Sequence, residues 1–141
     1  MTPSEIRAIR ASFAKVSRQE AQAGRIFYDR LFLIAPELRP MFKEDIASQA
    51  QKLMDTLALT IGQLRHSAML HSTLKSLGER HAAYGVQPEH YDNVGEALIW
   101  TVEQCLTGEC TDEIRKAWVA LYETASTTMK EAACKTTVRA S

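Results

Sequence analysis

The chain has 141 residues, the size of one domain that buries a substantial core without disulfide or metal staples. Its 17 lysines and arginines balance 17 aspartates and glutamates, so no broad field draws it to nucleic acid or to an anionic membrane surface. Charged residues recur from Glu5 onward and no apolar run reaches membrane-spanning length, which predicts a soluble protein with neither signal peptide nor transmembrane helix. The three cysteines, Cys105, Cys110 and Cys134, are odd in number and lack the paired spacing of a zinc or redox motif. Reduced thiols in a cytoplasmic setting are expected, with a bridge between Cys105 and Cys110 as the minor alternative.

Thr2-Pro3-Ser4-Glu5 reads as a capping box with proline at the first helical position, followed by Ile6, Ile9, Phe13 and Val16 at helical spacing. A first helix is expected to about Ser17. A second runs from about Glu20 through Gly24, Tyr28, Leu31 and Phe32 and stops near Ala35, because Pro36 cannot continue it. Between Pro36 and Phe42 there is room for a short helical turn. From about Asp45 a row of every fourth residue, Gln49, Leu53, Leu57 and Ile61, marks one face of a third helix.

Leu70, Leu74, Leu77 and His81 form one stripe of a fourth helix, and Gly85 lies in the connection after it, where a left-handed backbone is cheap. Pro88 restarts the helical pattern, and Tyr91, Val94, Leu98, Val102 and Cys105 make the face of a fifth helix that Gly108 breaks. Thr111-Asp112-Glu113 opens a sixth, burying Ile114, Trp118, Leu121 and Ala125. Trp100 and Trp118 both read as packing residues. No segment alternates with period two and no repeat is present, so the chain reads as an all-α single domain of six main helices.

His81 ends an apolar stripe just before a turn. Taken alone, such a histidine is more often a packed core residue than a ligand. Its neighbours shift that reading, because Leu77 precedes it by one turn and Val86, Tyr91, Val94 and Leu98 continue an apolar lining suited to a flat hydrophobic cofactor. On earlier helices Tyr28 and Gln49 are polar donors among apolar residues, and a buried polar group needs a partner. With His81, they read as a distal pocket facing a metal.

With these positions in place, the chain resembles the bacterial single-domain globins from about Ser4 to Met129. The blocks SQAQKLM (Ser48–Met54) and LGERHAAYGVQPEHYDNVGEALIW (Leu77–Trp100) are similar to neuroglobin-like bacterial globins. FYDRLFLIAPELRPMF (Phe27–Phe42) also resembles the globin domains of flavohaemoglobins. The resemblance implies a three-over-three helical sandwich holding haem b, iron protoporphyrin IX, with His81 as the proximal iron ligand. It implies Phe42 on the haem face, Leu53 beside bound gas, and Tyr28 with Gln49 as the distal pair. Leu57, Leu77, Val86, Val94 and Leu98 match haem-contacting positions, and Tyr91 matches a proximal tyrosine. Lys52 and Arg80 match positions where a basic side chain can reach a haem propionate, a solvated surface charge being the alternative for each.

The resemblance also has departures. Flavohaemoglobins carry a proximal histidine, tyrosine and glutamate network, but Ala133 stands at the glutamate position. Glu131 is two residues away, about 200° around the helix, so the strong proximal push of that network is not expected. Gln49 stands where many globins have a distal histidine, so a bis-histidyl state is not expected either. His66, His71 and His90 are expected at the surface or at helix ends. The chain ends at Ser141, short of flavin and nicotinamide domains, so redox turnover is expected to draw electrons from a separate reductase.

The resulting expectation is one globin domain over 1–141, with its core at about 4–130 and a C-terminal tail at about 131–141, as a monomer or weak homodimer. Its implied role is reversible dioxygen binding of high affinity for storage, delivery or scavenging, with carbon monoxide and nitric oxide as further ligands. Nitric oxide dioxygenation, haem-based gas sensing and a haem-free helical bundle are the alternatives.

Overall fold

The computed structural model describes the backbone of residues 1–140 and the side chains of residues 1–134. It contains α1 (Pro3–Ser17), α2 (Glu20–Ile34), a 3₁₀ turn (Pro36–Met41), α3 (Ile46–Gly62), α4 (Ser67–Ala83), α5 (His90–Leu106) and α6 (Asp112–Ala140), and no strand among the described residues. The C-terminal tail expected over 131–141 lies partly outside the described residues.

Local chemistry sets the helix ends. Thr2 accepts from the Glu5 amide at 3.1 Å while the Glu5 carboxylate accepts from the Thr2 amide at 2.9 Å, a complete capping box for α1. Asp45 caps α3 by accepting from the Ser48 amide at 2.8 Å, and Thr111 caps α6 by accepting from the Ile114 amide at 3.2 Å. Gly85 (φ +89°) follows the end of α4, where the Val86 amide donates back to the His81 carbonyl at 3.0 Å. Helix α5 begins at His90 rather than at Pro88: the Gln87 amide donates to His90 Nδ1 at 2.9 Å, so the preceding residues form a turn. It ends where Thr107 (φ +44°) and Gly108 (φ +86°) leave the helical region.

Helix α4 packs along α6, α2 lies across α5 and α3, and α1 rests on α6 and α5. Ile9, Leu31, Leu106 and Trp118 are the largest fully buried side chains at this junction, and each aliphatic one contributes about 1.5–3 kcal/mol relative to exposure. The Trp118 indole donates to Ser12 Oγ at 2.8 Å inside the core. Two crossings depend on glycine. A Cβ at Gly24 would collide with Ala50 of α3, and one at Gly78 would collide with the Met129 backbone of α6.

Three burial expectations are corrected. Trp100 is an exposed residue with the Arg30 guanidinium stacked 4.4 Å from its ring centre, because a helical face gives direction but not depth. On α6, Trp118 and Leu121 are buried, but Ile114 and Ala125 are only half-buried at the margin of the core.

Candidate functional site

Helices α3 and α4 are joined by a short turn, and along the row from Gln49 to Ile61 and the stripe from Leu70 to His81 burial falls with distance from it. Near the junction Ile61, Leu64, Leu70 and Leu74 are buried; away from it Gln49, Leu53, Leu57, Leu77 and His81 are half-covered. Among the described residues, neither α3 nor α4 brings a Cα within 8 Å of α5. The apolar residues Leu53, Leu57, Leu77 and Val94 therefore pack on the core with one side and leave the other uncovered. Phe42 and Val86 are half-buried as well, while Tyr91 and Leu98 are buried, each 6% exposed. A wedge of this kind is an unfinished core, of the sort that an apolar group completes.

On the α4 side, His81 Nδ1 lies 2.7 Å from the Leu77 carbonyl oxygen. A carbonyl only accepts, so Nδ1 carries the hydrogen and Nε2 keeps its lone pair. No described residue hydrogen-bonds Nε2. Burial is the main reason this imidazole titrates below its ordinary value; the bond to Leu77 pulls the other way, and the Arg80 charge adds to the lowering. A neutral ring with a free nitrogen is what a transition-metal ligand requires.

The Tyr91 ring lies 6.4 Å from that of His81. Its hydroxyl is buried without a hydrogen-bond partner, and burial pushes the phenol above its usual range. Its backbone oxygen accepts from the Tyr122 hydroxyl at 2.5 Å, and Lys130 Nζ lies 5.7 Å from its ring centre. Tyr122 carries no signal in the sequence, since its role depends on α6 meeting the start of α5.

On the α2 and α3 side, the structure brings Tyr28 and Gln49 together through the main chain. The Tyr28 hydroxyl donates to the Gln49 backbone oxygen at 3.4 Å, near the upper limit for such a bond. No described residue hydrogen-bonds the Gln49 side-chain amide. Burial pushes the Tyr28 phenol up to about 12, which keeps it a protonated donor. Phe42 stands edge-on to Tyr28 at 5.3 Å, and Phe32 lies 5.8 Å from Tyr28 and 5.5 Å from Phe42. The spacing of four between Tyr28 and Phe32 places the two on one side of α2.

The remaining candidates lie further out. Lys52 is exposed and ion-paired with Glu44 at 2.7 Å, and Arg80 is exposed. His66 and His71 are exposed, and His90 is the first residue of α5, its Nδ1 accepting from the Gln87 amide in the turn before it. All three cysteines are free thiols. Two surface grooves, of about 780 Å³ beside Arg18 and Arg25 and about 590 Å³ beside Trp100 and Tyr122, include none of Tyr28, Gln49 or His81. No helix among the described residues is long and apolar enough to cross a membrane. A free imidazole nitrogen, apolar flanks and a protonated donor fit the haem that the sequence resemblance implies.

The chain matches the Globin family over residues 25–129. It belongs to the globin family. This globin is 33% identical over 99 residues to the flavohemoprotein of Rhizobium meliloti strain 1021, an overlap covering 68% of the chain and 25% of that protein. It is 30% identical over 126 residues to the flavohemoprotein of Bordetella pertussis strain Tohama I, covering 86% of the chain and 31% of that protein. The chain thus spans about a quarter to a third of the length of these curated relatives. Among solved structures, a hexacoordinated heme protein from an anhydrobiotic tardigrade at pH 4 superposes with a TM-score of 0.85 over 94% of both chains at 16% identity. The globin's architecture is the expected three-over-three helical sandwich.

Proposed function

We propose that this globin binds haem b through His81 Nε2 and takes up diatomic gas, dioxygen foremost, on the side carrying Tyr28 and Gln49. The observation that carries the reading is His81 itself, a half-buried imidazole whose one nitrogen is tied to Leu77 while the other is free, set beside a half-covered apolar wedge. Haem held by His81 would supply an iron able to take a diatomic gas.

The chain's own residues define the rest. Leu53, Leu57, Leu77, Val86, Val94 and Leu98 provide the apolar lining that excludes water, and Phe42 adds an aromatic face. Tyr28, kept protonated by burial, offers a hydrogen to a ligand that gains negative charge, and the Gln49 amide offers a second. A neutral hydrogen bond contributes about 1 kcal/mol net and one to a charged acceptor about 1.5–3 kcal/mol; two such donors favour slow release. Gln49 brings no second imidazole, and the exposed His66 and His71 support an open ligand position. Lys52 and Arg80 are the basic side chains assigned to the propionates, with Lys52 exchanging Glu44 for that contact.

A second reading, turnover of nitric oxide with dioxygen to nitrate, is favoured by the flavohemoprotein relatives, whose length this chain covers only in part. It needs electrons from a reductase partner. Sustained nitric oxide consumption over many turnovers with a supplied reductase supports it, whereas one stoichiometric reaction that then stops leaves reversible gas binding as the function.

A further inference from the structure

Arg39 is exposed on the 3₁₀ turn, yet it reaches two of the three aromatic residues packed on Tyr28, Phe32 and Phe42 but not Phe27. Its Nη1 donates to the Phe42 carbonyl oxygen at 3.3 Å, while its own carbonyl accepts from the Phe42 amide at 3.2 Å. The peptide groups on both sides of Phe42 are thereby tied to one residue. No other hydrogen bond reaches that carbonyl among the described residues. The guanidinium also stacks 5.3 Å from the Phe32 ring centre. Phe32 and Phe42 in turn pack on each other and on Tyr28. Pro36 and Pro40 stiffen the turn that carries Arg39.

We propose that Arg39 is a positioning residue for the distal wall, clamping Phe42 and Phe32 so that their rings fix the orientation of Tyr28 toward the ligand. The proposal rests on the reading of Tyr28 as the ligand's hydrogen-bond donor. Tyr28 has only a long bond to the Gln49 main chain to hold its hydroxyl, so its aim is set mainly by ring packing. Ring packing here depends on Phe42, which lies in extended backbone between the turn and α3. A planar guanidinium donates and stacks at once, which a lysine ammonium does not do equally well.

The test is a pair of variants in the full chain loaded with haem. Arg39→Met keeps an apolar stem and removes the fork. It is expected to raise the dioxygen dissociation rate about threefold, part of one hydrogen bond, and to broaden the infrared stretch of carbon monoxide taken up by the protein. In a Tyr28→Phe background the same substitution is expected to change neither, because its effect travels through Tyr28. An equal change in both backgrounds, or none in the native one, overturns the proposal. A readout without haem judges the clamp separately: aromatic carbon NMR of the protein as purified, native against Arg39→Met. The Phe32, Phe42 and Tyr28 rings are expected to shift while Phe13, packed beside Trp118 at 6.3 Å, does not. Unchanged Phe32 and Phe42 signals overturn the clamp whether or not haem binds. Failure of the native protein to take up haem instead defeats the haem reading.

Discussion

His81 Nδ1 donates to the Leu77 carbonyl one helical turn earlier at 2.7 Å, and this single bond decides which ring nitrogen is available. It fixes the tautomer and holds the ring in a helix that is otherwise committed to packing on α6. Replacing His81 with glycine removes the whole imidazole, at a helix cost of about 1 kcal/mol, and leaves room for a free one. The variant is expected to lose its visible absorption on desalting, to keep its helical circular dichroism, and to regain haem when free imidazole is added. Retention of haem by His81→Gly without imidazole would place the ligand elsewhere.

Tyr28 is the donor best protected from solvent on the opposite wall. Substituting phenylalanine preserves the ring stack with Phe27, Phe32 and Phe42 and deletes only the hydroxyl. The dioxygen dissociation rate, followed by displacement with carbon monoxide, is expected to rise about tenfold, the equivalent of 1.4 kcal/mol. An unchanged rate removes Tyr28 from ligand stabilisation.

The same phenol sets an alkaline limit. Burial raises it from the ordinary 10.0 to about 12, so the folded state favours the neutral form. Its contribution to stability is fully present below pH 10 and is lost as pH rises through about 12. Denaturant unfolding of the native protein should therefore lose stability more steeply above pH 10 than that of Tyr28→Phe. Parallel curves for the two proteins would contradict this.

Helix crossings give a prediction about stability. Gly78 admits the Met129 backbone and Gly24 admits Ala50, so alanine at either site overpacks the contact and should cost about 1–3 kcal/mol in denaturant unfolding. Gly62 has nothing within 4 Å of a built Cβ, and Gly62→Ala should be neutral or stabilising by up to about 1 kcal/mol. Gly78→Ala should also weaken haem retention, since it shifts the part of α4 that carries His81 three residues later.

Much of this was legible in the sequence because it is local. Thr2 with Glu5, Pro36 after α2, Gly85 and Thr111 act within one turn of their own positions, and the helix boundaries followed them. The row from Gln49 to Ile61 and the stripe from Leu70 to His81 showed which faces turn inward. They did not show that coverage fades away from the α3 and α4 junction, because that depends on how far two helices diverge. Tyr28 and Gln49 were paired as two polar residues among apolar ones, but their link through a main-chain oxygen is a contact between helices that periodicity does not encode. Trp100 departs from its expected burial for a related reason: its ring is covered by Arg30 from another helix and stays at the surface. Arg39 had no signal at all, since its role depends on the 3₁₀ turn bringing its guanidinium back onto Phe42.

The central claim, haem held by His81 with an open gas-binding side, is tested most directly by the visible absorption spectrum of the purified protein, reduced and then exposed to carbon monoxide. An intense Soret band that shifts on reduction and again on adding carbon monoxide, and that His81→Gly lacks, is the predicted result. A colourless protein that takes up no added haem, or a reduced spectrum that carbon monoxide leaves unchanged, would contradict the account.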